Sequence, residues 1–498
     1  MGRWWQIAAA IAVGLPLLLG IPLPAGRHRQ ASAAPRPLEI RRLGSRILVL
    51  APHPDDEVLG AGGLVESALR AGDQVWVAVV TSGESSTPAA VRALHVAHPT
   101  PADFARLGAL RRAESRAGTR VLGLPPSHLV FLGYADGSLT PIWTGAWDCR
   151  HPRVSGRTHV AYSLLASGFD PHAAYCGPRL LGDLERLLLE VRPDTVVLPD
   201  PADHHPDHAG LADFAWAAVI AYDGARPAGA PEPQLFGYLV HYPGWPGRWG
   251  LEPGLSESLP TPWTGGPAGW YRLPLTPTET ARKGQALLRY RSQLAVSRPF
   301  LEAFVRSDEL FTRRAAVLRL GSSWLELGQV RALGSTFRFA PGGPLPRLVR
   351  VSRYAGPATT LSARSAGAGR IELRLSGPGW TRRRLEIRLF AWQVRPGGPD
   401  RRLVLEWRDG RASLSGDGAP AGRDARWQFS GQELRWSFDA GGAPWQVAAS
   451  LLERGRLVGT TSWLAVSAPA APAHRSRPLP VRPPARWVRS AARPAGAV

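Results

Sequence analysis

The 498-residue chain is nearly devoid of lysine, methionine and cysteine, with one Lys (Lys283), one Met and two Cys. Because lysine is so scarce, the formal net charge of +21 is carried by arginine. Those arginines are spread along the chain rather than gathered in a stripe, which disfavours a nucleic-acid partner and leaves weak adhesion to anionic surfaces as the plainer consequence. Abundant Ala, Gly, Pro and Arg beside vanishing Lys and Met fit a GC-rich coding bias. The two cysteines, Cys149 and Cys176, have no Cys-x-x-Cys spacing, which excludes a cysteine-ligated zinc site. They are left either as a disulfide or as two separate buried thiols. Internal repeats are absent.

One long apolar run exists, from about Ile7 to Leu23, preceded by Arg3 and followed by Ala31-Ser32-Ala33. Residues 1–33 therefore read as a signal peptide or an N-terminal membrane anchor, and the expected location is secreted or associated with the cell envelope. The hydrophobic fraction of 44% is that of a globular protein, and the length allows two domains.

Residues 38–330 alternate β-like and helical stretches. Residues 46–51, Gln74–Thr81, Leu129–Leu132, Thr195–Pro199 and Phe236–Tyr242 are expected strands. Gly62–Arg70, Ala102–Leu122, Pro178–Arg192, Leu211–Ala221 and Thr278–Ser292 are expected helices. That alternation predicts an α/β fold with a Rossmann-like, mostly parallel sheet covered by helices on both faces. Residues 334–466 instead show period-two runs such as Arg370-Ile-Glu-Leu-Arg-Leu, split by Asp-Gly turns, and predict a C-terminal antiparallel β-sandwich-like domain. Its tryptophans are expected in the core, with stacking on sugars as the alternative. The Pro/Ala/Arg-rich tail, residues 467–498, has a disordered composition.

Two acid/histidine clusters directly follow expected strands. One is Pro52-His53-Pro54-Asp55-Asp56-Glu57, and the other is Asp203-His204-His205-Pro206-Asp207-His208. In parallel sheets, ligands bind beyond the carboxyl ends of the strands, where both clusters lie. One His and one carboxylate from the first, with one His from the second, would complete the three protein ligands of a catalytic Zn²⁺ site. Spare acids and imidazoles remain for proton transfer and carbonyl polarisation, so hydrolysis is the leading expectation. The bland alternative for either cluster alone is a polar loop with a helix-capping Asp. Two imidazoles and one carboxylate also suit Fe²⁺ or Co²⁺.

These residues carry a resemblance. Pro-His-Pro-Asp-Asp-Glu with Leu59-Gly60-Ala61-Gly62-Gly63, and His205-Pro-Asp-His208, resemble the two signatures of the PIG-L/LmbE-like family of metal-dependent N-deacetylases. Thr81-Ser-Gly-Glu84, Arg111-Arg-Ala-Glu114, Phe131-Leu-Gly-Tyr-Ala-Asp136-Gly137 and Lys283…Tyr290-Arg-Ser-Gln293 resemble further family elements, over roughly residues 45–312. The resemblance implies His53, Asp56 and His208 as metal ligands and Asp55 as general base. It implies His205 as oxyanion stabiliser and acid, oriented and kept protonated by Asp207. Arg111 and Asp136 are implied at the substrate, with Glu84 and His241 as further substrate-binding candidates. Alternatives stay open: Arg111 pairing with Glu114 or another carboxylate, and Asp136-Gly137 serving only as a turn. Glu57 is expected to support or cap, and His204 to be a solvent-exposed bystander.

The implied activity is hydrolysis of the acetamide of an N-acetylglucosamine-type sugar in a glycolipid, glycan or glycoconjugate. An export signal, a longer cysteine-containing segment and an added β-domain set this chain apart from the simplest members and turn expectation away from cytoplasmic thiol-cofactor precursors. The alternatives are a metal-dependent amidase on a non-sugar amide and a non-catalytic envelope glycan-binding protein.

Overall fold

The computed structural model describes residues 34–469 apart from 166–167, 332–336, 341–346, 351–357, 368, 379–384, 396–397, 409–410, 418–424 and 454–455. The expected signal or anchor segment, residues 1–33, lies outside the described residues, as does the tail from residue 470. Among the described residues no helix is long and apolar enough to cross a membrane.

Residues 34–314 build one eight-stranded sheet, with strands β1 (Arg36–Pro37), β2 (Arg46–Ala51), β3 (Gln74–Thr81), β4 (Leu129–Tyr134), β5 (Thr195–Pro199), β6 (Gln234–Tyr238), β7 (Gly269–Pro274) and β8 (Asp308–Arg314). Their order is β1-β7-β8-β6-β5-β2-β3-β4. β6-β5-β2-β3-β4 are parallel throughout, whereas β8 runs antiparallel to both β6 and β7. The sheet is thus mixed, with a parallel half that carries the site.

The uniformly apolar β2 is explained by its neighbours. Ile47, Val49 and Ala51 enter one core with α1 (Asp56–Ala71), and their alternates Leu48 and Leu50 enter a second core on the opposite face. The first core also takes Ala286 and Leu287 of α7 (Pro277–Leu287) and Leu294 and Phe300 of α8 (Arg291–Glu302). The second takes α4 (Leu139–Gly145), α5 (Gly177–Val191) and α6 (Pro206–Ala225). α2 (Thr87–Leu94) and α3 (Pro101–Val121) pack beside the first core, where Ala89, Ala90, Phe104 and Leu107 form a small cluster of their own. Helices therefore cover both faces, as period-one burial of a parallel strand requires.

Several boundaries differ from expectation for local reasons. α1 starts at Asp56 rather than Gly62 and changes direction at Ala61, the one non-helical residue inside it. α6 starts at Pro206, which places His208 on its first turn. The expected helix 278–292 is two helices, broken between Leu287 and Arg291. β6 ends at Tyr238, so His241 stands in the loop beyond the strand.

Cys149 and Cys176 are joined as a disulfide, which ties the segment after α4 to the start of α5. Beyond β8 the chain forms sheets of five and seven strands, antiparallel except where Leu318–Arg319 pairs parallel with Leu464–Ser467, and their inner residues (Leu361, Ile371, Leu373, Trp436, Ile387, Leu405, Trp445) share one apolar core. The strands Leu318–Arg319 and Leu325–Gln329 belong to these sheets, so the β-rich region begins before residue 334. It packs directly on the α/β part: Trp392 and Trp463 lie 4.9 and 5.6 Å, centroid to centroid, from Trp143 of α4.

Candidate metal and catalytic site

β2 and β5 are adjacent and parallel, in register through Ile47↔Thr195 and Val49↔Val197. Strand order runs outward from β2 through β3 and β4, and outward from β5 through β6, so the β2/β5 boundary is the topological switch point of the parallel half. The loops leaving these two strands hold the two clusters, and each ends in a helix start. Asp55 stands at the N-cap position of α1 without a side-chain cap bond, and His205 caps α6 through its side chain. Both helix N-termini thus lie at the site, where their amide dipoles favour negative charge.

His53, Asp56 and His208 converge. Asp56 Oδ2 lies 2.9 Å from His53 Nδ1 and 3.1 Å from His208 Nε2. Ligands at tetrahedral corners about 2.0–2.1 Å from a zinc ion are separated by roughly 3.3 Å, close to these spacings. The ring nitrogens of His208 are buried and make no hydrogen bond in the structure, although Asp203 Oδ2 is 3.3 Å from Nδ1. Burial opposes charge on His53, but Asp136, Asp207 and Asp56 outweigh it and hold the ring well above its usual range. His208 is likewise pushed up to about 9, by Asp56 and Asp203 against the effect of burial. Asp56, which burial alone would raise, is held well below the usual carboxylate range by His208 and His53. Carboxylates that hold protons on two buried imidazoles at neutral pH can equally hold a divalent cation there, with the imidazoles neutral. The residues present therefore fit a zinc-type ion. His205 also has a ligand atom within 4.8 Å of those of His53 and His208, and His241 is similarly placed beside Asp56 and His208.

Asp55 stands next to this set in a conformation that non-glycine residues rarely adopt, with φ 127°. Its amide donates to Glu57 Oε2 at 2.9 Å, and Glu57 Oε1 accepts from the hydroxyls of Ser115 and Tyr290. Burial pushes the Asp55 carboxyl up to about 8, with Arg111 pulling the other way from 3.2 Å. A carboxyl poised near neutrality suits a general base. Arg111 also donates to the carbonyls of Gly83 and Pro54, so it pairs with Asp55 and not with Glu114, which instead accepts from Ser292.

A cavity of about 390 Å³ opens over these groups. His53, Asp55, Asp56, Arg111, Asp136, His205 and His241 line it, and α8 supplies the far wall. Three expected site residues do not line it: His208, fully buried with its Nε2 3.1 Å from Asp56 Oδ2, Glu84 and Asp207. Glu84 is buried behind Asp136, accepting its backbone N–H at 3.0 Å, so its carboxyl serves that turn, and burial lifts it to about 8. Asp207 does not orient His205. Its carboxylate accepts the N–H groups of Gly137 and Leu139 and sits 3.1 Å from His53 Nε2, so the ring it orients is that of His53. Nor is His205 kept protonated: burial, with His53, His241 and His208 adding repulsion, lowers it to about 3. Its Nδ1 accepts the Asp207 N–H as the helix cap. His204 is buried against Tyr242 rather than solvent-exposed. Asp136-Gly137 is a turn and also a site element, with Gly137 at φ 82° and Asp136 Oδ1 3.4 Å from His53 Nε2.

Sequence reasoning assigned no role to Asp203, yet it braces the second cluster. Its carboxylate accepts from the amides of His205, Val240 and His241 besides facing His208. An acid five residues before a ligand His, at a strand end, was the available signal. For the α8 wall the signal was Gln293, the end of the element Lys283…Tyr290-Arg-Ser-Gln293, whereas Val296, Ser297, Phe300 and Leu301 carried none.

The fold and this site define an α/β protein with an imidazole–carboxylate centre at the switch point of its sheet. Residues 48–219 match the family model described as PIG-L: GlcNAc-PI de-N-acetylase. It is 29% identical over 212 residues to the 1D-myo-inositol 2-acetamido-2-deoxy-alpha-D-glucopyranoside deacetylase of Salinispora arenicola, covering 40% of this chain and 60% of that one. It is 32% identical over 181 residues to the deacetylase of the same description from Actinosynnema mirum, covering 35% and 55%. The chain thus spans 60% and 55% of the lengths of these two relatives. Among solved structures it is similar to the N,N'-diacetylchitobiose deacetylase from Pyrococcus horikoshii, with TM-score 0.34 and 20% identity over 55% of this chain and 84% of that one.

Proposed function

We propose that the chain is an exported, zinc-dependent N-deacetylase that hydrolyses the acetamide of an N-acetylglucosamine-type sugar to a free amine and acetate. The observation that carries this reading is the position of Asp56 Oδ2, within 3.1 Å of both His53 Nδ1 and His208 Nε2, with Asp55 and His205 on the same cavity as Asp56. A zinc ion held by that triad supplies Lewis acidity and lowers the pKa of water. Asp55 accepts a proton from the attacking water, its carboxyl poised by burial and Arg111. His205, neutral with Nδ1 occupied by the helix cap, presents its Nε2–H to the oxygen on which negative charge develops. The protonated Asp55 carboxyl then returns its proton to the departing amine. Asp207 and Asp203 fix the rings of His53 and His208. Asp136 and Arg111 face the sugar.

Export rests on residues 1–33 and is supported by the Cys149–Cys176 disulfide. We read the two C-terminal sheets as a sandwich that braces the site and brings it to envelope glycans. The test is acetate release from N-acetylated sugars, glycolipids and glycan polymers by the protein from residue 34 onward, as purified, chelated and re-supplied with Zn²⁺. Release that chelation abolishes and zinc restores is expected. Release confined to non-sugar amides would overturn the sugar assignment.

A further inference from the structure

The wall of the cavity opposite the metal triad comes from α8, which is not a regular helix. Ser297 is non-helical inside it (φ −144°, ψ 46°), and Pro299 follows. This break turns Val296, Ser297, Phe300 and Leu301 toward the cavity, beside Gln293. Hydroxyl and amide groups therefore alternate with apolar and aromatic surface, a lining suited to a ring with one apolar face and a rim of hydroxyls and ill suited to an alkyl chain.

Phe300 lines the cavity with His241 stacked on its ring at 5.7 Å, and Trp249, not itself a lining residue, adjoins it. Trp249 packs edge-on against it, at 5.5 Å between centroids, and remains 37% exposed. A single exposed aromatic needs no explanation by itself, but the loop that carries Trp249 is held with unusual thoroughness. Arg306, 1% exposed, donates to three of its carbonyls: Arg248 O at 2.5 Å, and Gly250 O and Glu252 O at 3.2 Å each. The Gly250 N–H donates to the Pro299 carbonyl at 2.7 Å, tying the loop to the break in α8. A buried guanidinium committed to backbone carbonyls on both sides of one partly exposed indole leaves that indole pre-organised, which lowers the ordering cost of any ligand it meets.

We propose that Trp249 and Phe300 form an aromatic subsite for a second pyranose ring, the one linked to the N-acetylated ring over the metal triad. The substrate class is then an oligosaccharide or a glycan chain, and not a free monosaccharide. The proposal rests on the deacetylase reading for the placement of the first ring. Arg306 is the positioning residue of this subsite.

The test uses N-acetylglucosamine and its β-1,4-linked dimer as probes. Binding of each is measured by calorimetry to zinc-loaded Asp55→Asn protein, with and without Trp249→Ala or Trp249→Phe. Steady-state acetate release is measured in the Asp55 background. The dimer is expected to bind at least about tenfold more tightly than the monomer, with Trp249→Ala erasing most of that advantage and Trp249→Phe keeping most of it. The ratio of kcat/KM for dimer over monomer should fall by a similar factor in Trp249→Ala. Equal affinity for the two sugars, or an advantage that survives Trp249→Ala, overturns the subsite. A Trp249-dependent advantage without acetate release from either sugar leaves the subsite standing and sinks the deacetylase reading. Acetate release without the advantage does the reverse, and absence of binding by either sugar overturns both.

Discussion

The hydroxyl of Ser462, in the C-terminal β-rich region, donates to the carbonyl of Pro201 at 2.9 Å. Arg331, also from that region, donates to the same carbonyl and to Ser462 Oγ. Pro201 lies in the loop between β5 and the cap of α6, so the β-rich region holds the loop that presents His205 and His208. Gln446 reinforces the contact by donating to the Asp213 carbonyl of α6 at 3.1 Å. The added region is thus part of the scaffold of the site, not a tethered module.

That contact has a measurable consequence. Ser462→Ala removes one donor while Arg331 remains, at a cost of about 1 kcal/mol. Arg331→Met removes the cation that offsets the buried Asp213, whose carboxyl burial already raises well above its usual range, and should cost more. Both variants should lower zinc affinity as well as the unfolding temperature, because His208 loses its framework. Chelator competition and thermal unfolding check this, and an unchanged zinc affinity in Arg331→Met would show the clamp to be purely structural.

Asp55→Asn keeps the size of the side chain and its place beside Arg111 but cannot take a proton. Acetate release should fall by about 10²–10⁴, the usual contribution of general acid–base catalysis, while one zinc per chain is still bound. Loss of zinc together with activity would mean that Asp55 is a ligand and not the base.

Glu257 gives a pH dependence away from the metal triad. Its carboxyl is raised from 4.5 to about 8, first by burial and then by Asp308 and Glu309, against the pull of Lys283. Between those two values the folded chain keeps a proton that the unfolded chain has lost, so stability falls as pH rises through this window. Glu257→Gln removes the dependence. Its unfolding temperature relative to the parent should therefore rise from pH 5 to pH 8.5, and a flat difference across that range would refute the assignment.

The parallel half of the sheet was legible because a strand buried on both faces is uniformly apolar, as Ile47–Ala51 and Thr195–Pro199 are. The closeness of His53, Asp56 and His208 was legible because each cluster is local in sequence and follows such a strand. What escaped was long-range pairing. Nothing near Asp308–Arg314 announces that β8 inserts antiparallel between β6 and β7. The role of Asp207 was misjudged for the same reason, since its partners Gly137 and Leu139 arrive from the loop after β4. His204 looked like an exposed neighbour of His205, but its burial depends on Tyr242, from another loop.

Metal removal is the most direct test of the centre. Asp56 stays ionised despite its burial because His53 and His208 face it, and both His rings are held charged by surrounding carboxylates. Zinc binding must therefore release protons from these rings, so affinity should rise with pH, with proton release visible as a buffer-dependent enthalpy in calorimetry. At a free zinc concentration 100 times the dissociation constant, the ion should stabilise the fold by about 2.7 kcal/mol. His208→Ala removes one imidazole and leaves Asp203 and Asp56 facing each other across the gap, so it should abolish both the zinc-dependent rise in unfolding temperature and acetate release. If zinc still stabilises that variant as it does the parent, the ion sits elsewhere, and His205 and His241 become the ligands to test next.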